Sequence, residues 1–307
     1  MTGLSLQDPS RGLRIARLLS ALRWSTRLWY DVLVPATMLV VMDGRHLRGG
    51  LLGSVVGAVV LFHAGQTLFN DVADVAVDER STEPSRHQRA LVQGTASPRL
   101  YLAAGCVLLL GSFLITLTLP WVCIGIFGLA LPLVLAYNFK PIRLSGRPLA
   151  TQLYWPATWA LMYLYCAGAL GFRGWQNGLP YLAFIVVFMG IGEGLTQDIR
   201  DADNDAAGGR LTTVVRYGVA RSAVAAWLAF LVSLAPWVWS TQYRGLPSAY
   251  GVSGAVILAA WLAVSLRPVM RLQATYRKVD GKLLHVGAIY TFTCLNLITV
   301  LGVLLGS

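Results

Sequence analysis

Apolar runs long enough to cross a bilayer recur along the whole 307-residue chain, which leaves little besides a helical membrane fold open to it. A soluble domain of this length would break such runs with charged faces. Here only 13% of residues are charged, against about 25% in ordinary soluble domains. Between polar punctuation the runs predict nine spanning helices, at about 28–43, 50–71, 98–118, 120–137, 150–171, 179–199, 220–240, 247–266 and 284–306. The expected fold is therefore all-α: a polytopic integral membrane protein with nine transmembrane helices around a central cavity. The weakest division lies between the third and fourth spans, where only Leu119, Pro120 and Trp121 mark a turn. Residues 13–27 interleave Leu13, Ile15, Leu18, Leu19 and Leu22 with Arg14, Arg17 and Arg23. That pattern suits an amphipathic helix on the membrane surface. The expected organisation is thus a surface segment over 1–27 and one transmembrane domain over 28–307. Residues 1–12 are polar and lack the apolar core of a signal peptide, so no cleavage is expected. Cys106, Cys123, Cys166 and Cys294 all lie in apolar segments without CxxC spacing, which argues against a disulfide framework or a zinc site.

The net charge of +11 would suit nucleic-acid binding if it formed a stripe or a tail. It does not, because the charges sit between the apolar segments. With the N-terminus in the cytoplasm and nine alternating helices, only Arg45, Arg48, Arg173 and Arg244 fall outside, leaving 21 of the 25 lysines and arginines at cytoplasmic segments. This bias supports both the helix count and the orientation. Arginine far outnumbers lysine, as in GC-rich bacterial coding, so the expected location is a bacterial cell membrane with the functional loops in the cytoplasm.

Nine of the 14 acids fall in two short windows. Asp71, Asp74, Asp78, Glu79 and Glu83 follow the second span, and Asp198, Asp201, Asp203 and Asp205 follow the sixth. Both windows reach the same membrane face. At about 100° per residue, Asn70, Asp74 and Asp78 step by about 40° each and share one helix face. Asp198, Asp201 and Asp205 fall within about 60° of one another on theirs. Like charges stacked in this way repel and need a counter-charge. Hard oxygen ligands in such number suit Mg2+, which keeps several waters and bridges to substrate phosphates. Asp201, Asp203 and Asp205 imitate the start of a calcium loop, but Ala206 and Thr212 occupy its glycine and closing glutamate positions. His46, His63, His87 and His285 do not supply the Glu-x-x-His pairs of a di-iron bundle.

Asn70-Asp71-x-x-Asp74-x-x-x-Asp78 and Asp198-x-x-Asp201-x-x-x-Asp205 resemble the two signature motifs of the UbiA superfamily of intramembrane prenyltransferases. Further matches follow in order. The stretch from Arg89 to Gly94 is similar to the arginine-to-glycine segment after the first motif, with Ala90 where a proline is usual. Tyr137-Asn138-Phe139-Lys140-Pro141-x-Arg143 resembles the basic loop after the fourth helix, and Gly208-Gly209-Arg210-x-Thr212-Thr213 the segment after the second motif. The resemblance implies Mg2+ held by Asn70, Asp71, Asp74, Asp78, Asp198, Asp201 and Asp205. It also implies an isoprenyl diphosphate bound through Asn70, Tyr137, Lys140, Arg143, Arg210 and Arg89, with Asp74 and Asp201 central to catalysis. The departing diphosphate would leave an allylic cation, shielded from water by apolar helices, for an aromatic, quinone-precursor or other lipophilic acceptor to attack.

Asp31, His63 and Glu193 lie inside spans, where ionisable groups are costly and mark function. Glu193, five residues before Asp198, is placed to orient or deprotonate an acceptor. Asp31 and His63 are expected to satisfy each other or backbone groups. Two other functions share some of these features. A membrane terpene cyclase would use the same ionising residues and steady its cation on Tyr154, Trp155, Trp159, Tyr163 and Tyr165. A transporter would spread its acids through the bilayer depth or in inverted repeats, whereas these gather at one face.

Overall fold

The computed structural model describes residues 28–81, 83–243 and 248–305. The surface helix expected over 13–27 lies outside them. Every regular element among the described residues is helical. The long segments are α1 (Leu28–Asp43), α2 (Gly49–Asp78), α3 (Pro98–Thr116), α4 (Trp121–Asn138), α5 (Ala150–Ala169), α6 (Trp175–Ala207), α7 (Val219–Ser240), α8 (Ser248–Ala274) and α9 (Lys278–Leu305). Seven of these, not the expected nine, are long and apolar enough to cross a membrane by length and composition. The two that fall short are α1, with 16 described residues, and α5, whose 20 residues include Thr151, Gln152, Thr158 and a run of Tyr and Trp. The uncertain turn at Leu119–Pro120 is real: α3 ends at Thr116 and Pro120 caps α4.

Length explains where the acids sit. At about 1.5 Å per residue, the 30-residue α2 extends about 45 Å, well beyond a hydrocarbon core of about 30 Å. Its Asn70–Asp78 end therefore projects past the apolar layer. The continuous helix α6 ends at Ala207, eight residues beyond the span read from the sequence, and carries Asp201, Asp203 and Asp205 in that extension. Apolar side chains on the outer faces, such as Val107, Leu110 and Leu114 on α3 and Val252 and Val256 on α8, are exposed as lipid contact requires.

The helix α6 runs through the middle of the bundle and is irregular. A 3₁₀ turn at Trp175–Gly178 leads into an α segment, then a π-helical stretch over Val186–Glu193, then α helix again from Gly194. Glycines allow the neighbours to press on the π stretch. A Cβ at Gly190 would stand 2.8 Å from the Pro156 ring of α5, and one at Gly192 would stand 2.6 Å from the Phe230 ring of α7. Stacked and edge-on rings of Phe184, Phe188, Phe230, Trp237 and Phe292 fix the same helix against α7 and α9. This packing sets the height and rotation at which Glu193 and the second acid cluster enter the interior.

Candidate active site

The acid ends of α2 and α6 meet over a polar cavity of about 90 Å³, lined by Asn70, Asp74, Asp198, Asp201 and Asp205 together with Arg86, Arg89, Arg200, Arg210 and Tyr137. It opens into an apolar cavity of about 410 Å³ between α2, α4, α5, α6 and α9. His63, Gln66, Trp155, Gln197 and Arg200 line both and mark the junction.

Arginines neutralise the stacked carboxylates. Arg86 spans the two clusters, with Nη1 donating to Asp78 and Nη2 to Asp201, each at 2.8 Å. Arg89 also holds Asp78 and lies 3.6 Å from Asp71. Arg210 pairs with Asp74 and reaches Asp205 at 3.5 Å. Arg200 donates to Asp201 at 2.6 Å. Burial works against the charge on Arg86, but Asp201 and Asp78 outweigh it and push its pKa up. Among the described residues, the side chains as they stand bring no three acid, histidine or cysteine groups close enough to share one ion. The donor set nevertheless fits a hard divalent cation. Asp198 is buried, and its described hydrogen-bond partner is a neutral amide, Gln152 Nε2 at 3.1 Å. It shares the cavity with three further carboxylates, an arrangement that an oxygen-seeking cation would relieve.

Unpaired donors face the same space. Ser145 Oγ, Thr212 Oγ1 and Arg210 Nε are buried without partners, and their residues line the polar cavity. Such orphaned groups are costly unless a ligand completes them.

Several expected residues are placed otherwise. Asp71 and Asp78 are buried behind Arg89 and Arg86 and are not among the lining residues. Lys140 is exposed, one residue past the cap of α4, and also lies outside the lining. Arg143 donates from Nη2 to the Ala73 carbonyl of α2 at 2.9 Å, but it too lies outside the lining. Glu193 lines the apolar cavity, not the polar one. Its Oε1 lies 2.8 Å from His285 Nδ1, at an angle outside that of a hydrogen bond, while His285 Nε2 lies 2.5 Å from Arg200. An arginine only donates, so Nε2 accepts and the ring proton is on Nδ1. Asp31 and His63 do pair, at 2.5 Å. Of the five aromatic residues of α5, Trp155, Trp159 and Tyr165 line the apolar cavity. Tyr154 instead stacks on Tyr137 with ring centroids 3.9 Å apart, and the Tyr163 hydroxyl donates to the Trp175 carbonyl.

Sequence reasoning missed Arg86 and Arg200 as site residues, along with Gln152, Ser145 and Thr212. Three arginines follow the first acid motif, and no spacing rule separates Arg86 from its neighbours.

Comparison with known proteins decides the family, because the model of the UbiA prenyltransferase family matches residues 32–279. The chain belongs to that family. A digeranylgeranylglyceryl phosphate synthase of Halobacterium salinarum is 32% identical over 182 residues, covering 59% of this chain and 62% of the relative's length. Another synthase of that name, from Methanoregula boonei, is 26% identical over 259 residues, or 83% of this chain and 88% of its own. The fold matches a UbiA homolog from Archaeoglobus fulgidus, solved bound to DMAPP and Mg2+, with a TM-score of 0.66 at 12% identity. That match covers 92% of this chain and 99% of the other. An all-helical integral membrane protein of the UbiA family is the result.

Proposed function

We propose that the chain transfers an isoprenyl group from an isoprenyl diphosphate to a lipophilic acceptor within the membrane, using Mg2+. The observation that carries this reading is the pair of joined cavities, one acid- and arginine-lined and the other apolar, whose shapes suit the two ends of a prenyl diphosphate. In this reading Asn70, Asp71, Asp74 and Asp78 on α2 and Asp198, Asp201 and Asp205 on α6 hold the metal, with Asp71 and Asp78 acting from behind the arginines. Magnesium, when bound, neutralises the diphosphate and makes it a better leaving group.

The protein's own groups do the rest. Arg210, Arg89 and Arg143 offer charge to the diphosphate, Thr212 and Ser145 offer hydroxyl donors, and Lys140 attracts it from the exposed loop. Tyr137, held by its stack on Tyr154, closes one wall. The apolar cavity receives the prenyl chain and keeps water from C1 as its bond to oxygen lengthens. Glu193, held by His285, orients the acceptor from the far side.

The named synthases suggest the acceptor class. Removing one geranylgeranyl group from digeranylgeranylglyceryl phosphate leaves a glyceryl phosphate bearing one prenyl group and a free hydroxyl. An alcohol of that kind is the proposed acceptor. The lysine and arginine bias supports a cytoplasmic site, and one transmembrane domain from residue 28 onward is the proposed organisation. Arginine usage supports a bacterial host, although the relatives named above are archaeal.

Cyclisation is the second reading, favoured by Trp155, Trp159 and Tyr165 on the apolar cavity, whose ring faces could steady a cation. Detergent-purified protein with geranylgeranyl diphosphate and Mg2+ separates the two. Transfer predicts a doubly prenylated ether only when geranylgeranylglyceryl phosphate is added. A cyclic terpene made without acceptor, and lost in Asp74→Ala protein, would overturn transfer.

A further inference from the structure

Two carboxylate–imidazole pairs face the apolar cavity, and they are not equivalent. In the Glu193–His285 pair the histidine Nε2 is taken by Arg200, while Nδ1 lies 2.8 Å from Glu193 outside hydrogen-bond geometry. In the Asp31–His63 pair only Nδ1 is taken, 2.5 Å from Asp31 Oδ2. His63 Nε2 has no described partner, and His63 is one of the residues lining both cavities. Position along α2 adds to this. His63, Asn70 and Asp74 lie within about 40° of one another around the helix. His63 is about 10 Å deeper than Asn70 along the axis, and its side chain leans deeper still toward the N-terminus of α2. A prenyl diphosphate held by Asn70 and Asp74 would therefore bring its C1 toward His63. A second prenyl-bearing alcohol in the apolar cavity would meet it there.

We propose that His63, backed by Asp31, is the base that takes the proton from the acceptor hydroxyl. The assignment rests on the transfer reading above. Asp31 fixes the tautomer with the proton on Nδ1, leaving Nε2 as an acceptor, and stabilises the imidazolium once it forms. In the step, a lone pair of the acceptor oxygen forms the new bond to C1. The bond from C1 to the diphosphate oxygen breaks and its electron pair leaves with the diphosphate. The hydroxyl proton moves to His63 Nε2 and passes to water when the products depart. A helix–helix tie between α1 and α2 would also use this pair, but it would not need His63 at the junction of the two cavities with a nitrogen free.

The test uses full-length His63→Gln and Asp31→Asn proteins, which keep size and hydrogen-bonding capacity. Two quantities are measured with Mg2+ present. One is ether formation from geranylgeranyl diphosphate and geranylgeranylglyceryl phosphate. The other is binding of geranylgeranyl S-thiolodiphosphate, whose carbon–sulfur bond resists ionisation. General bases contribute about 10²–10⁴-fold, so His63→Gln should lose at least about 100-fold in kcat while binding the analogue as the wild type does. Asp31→Asn should lose turnover in the same direction, again with binding kept. Wild-type turnover in His63→Gln, or loss of analogue binding together with turnover, would overturn the assignment and leave transfer standing. A wild-type protein that binds the analogue yet forms no ether would overturn the transfer reading, and this assignment with it.

Discussion

Arg86 joins Asp78 of one acid cluster to Asp201 of the other through two 2.8 Å contacts, so one guanidinium ties the ends of α2 and α6. Its planar fork suits two carboxylates in a way that a lysine ammonium does not. Removing one partner from a buried charge pair costs about 3–5 kcal/mol because the other charge is left uncompensated. Arg86→Ala is therefore expected to lower the thermal midpoint by several degrees, with Arg86→Lys recovering only part of the loss. An unchanged midpoint in Arg86→Ala would contradict the bridge. The acids themselves were legible in the sequence because carboxylates are scarce in this chain and theirs fall at helical spacing. Arg86 was not, since which of several nearby arginines turns inward depends on the path of the 79–97 segment. Lys140 and Arg143 show the same limit: both are basic and three apart, yet only Arg143 reaches α2.

The spans were legible as elements because each apolar run is bounded by polar or proline residues. The overrun of α2 and α6 into the polar layer was not, because a hydropathy reading stops where the acids begin. Nor does sequence show the π stretch of α6, where Gly190 and Gly192 let Pro156 and Phe230 approach closely. Overpacked interiors lose about 1–3 kcal/mol, so Gly192→Val should lower the thermal midpoint and shift Glu193 out of register, with turnover falling further than stability alone explains. Full turnover in Gly192→Val protein would speak against that role for the π stretch. The 79–97 segment is docked by Glu83, which meets Lys282 at 2.9 Å and Lys278 at 3.7 Å. Burial raises the pKa of this carboxyl, but the two lysines and Arg86 outweigh it and hold the value below the ordinary 4.5. A lowered value means that the tie stabilises the fold above the unfolded pKa and is lost as pH falls through the folded one. Hydrogen-exchange protection factors in residues 84–97, taken against the intrinsic rate at each pH, should therefore fall below pH 4.5. Glu83→Gln should give the same loss of protection at neutral pH, and equal protection in that variant would argue against the tie.

At the scale of the whole molecule, the joined cavities run from the acid ends of α2 and α6 into the apolar interior of the bundle. The acid end faces the side on which most arginines lie, and the apolar cavity leads from it into the membrane interior. On a background with the exposed Cys106 and Cys294 replaced by Ala, new cysteines at Ser85 and Thr275 should label from the cytoplasm and one at Gln176 from outside. Labelling of Ser85→Cys and Gln176→Cys from one side would contradict the proposed cytoplasmic orientation of the acid end. The account stands most directly on the claim that the two acid clusters act as one metal-dependent unit on the diphosphate. Ether formation by full-length protein, supplied with geranylgeranyl diphosphate and geranylgeranylglyceryl phosphate, tests it in wild type, Asp74→Ala, Asp201→Ala and the double variant, each with Mg2+ and after EDTA. The account predicts that EDTA abolishes wild-type turnover and added Mg2+ restores it. It also predicts that either single variant is inactive with the metal present, and that the double variant is no worse than the singles, as residues acting together require. Undiminished turnover after EDTA, or substantial activity in Asp74→Ala or Asp201→Ala protein, would contradict it.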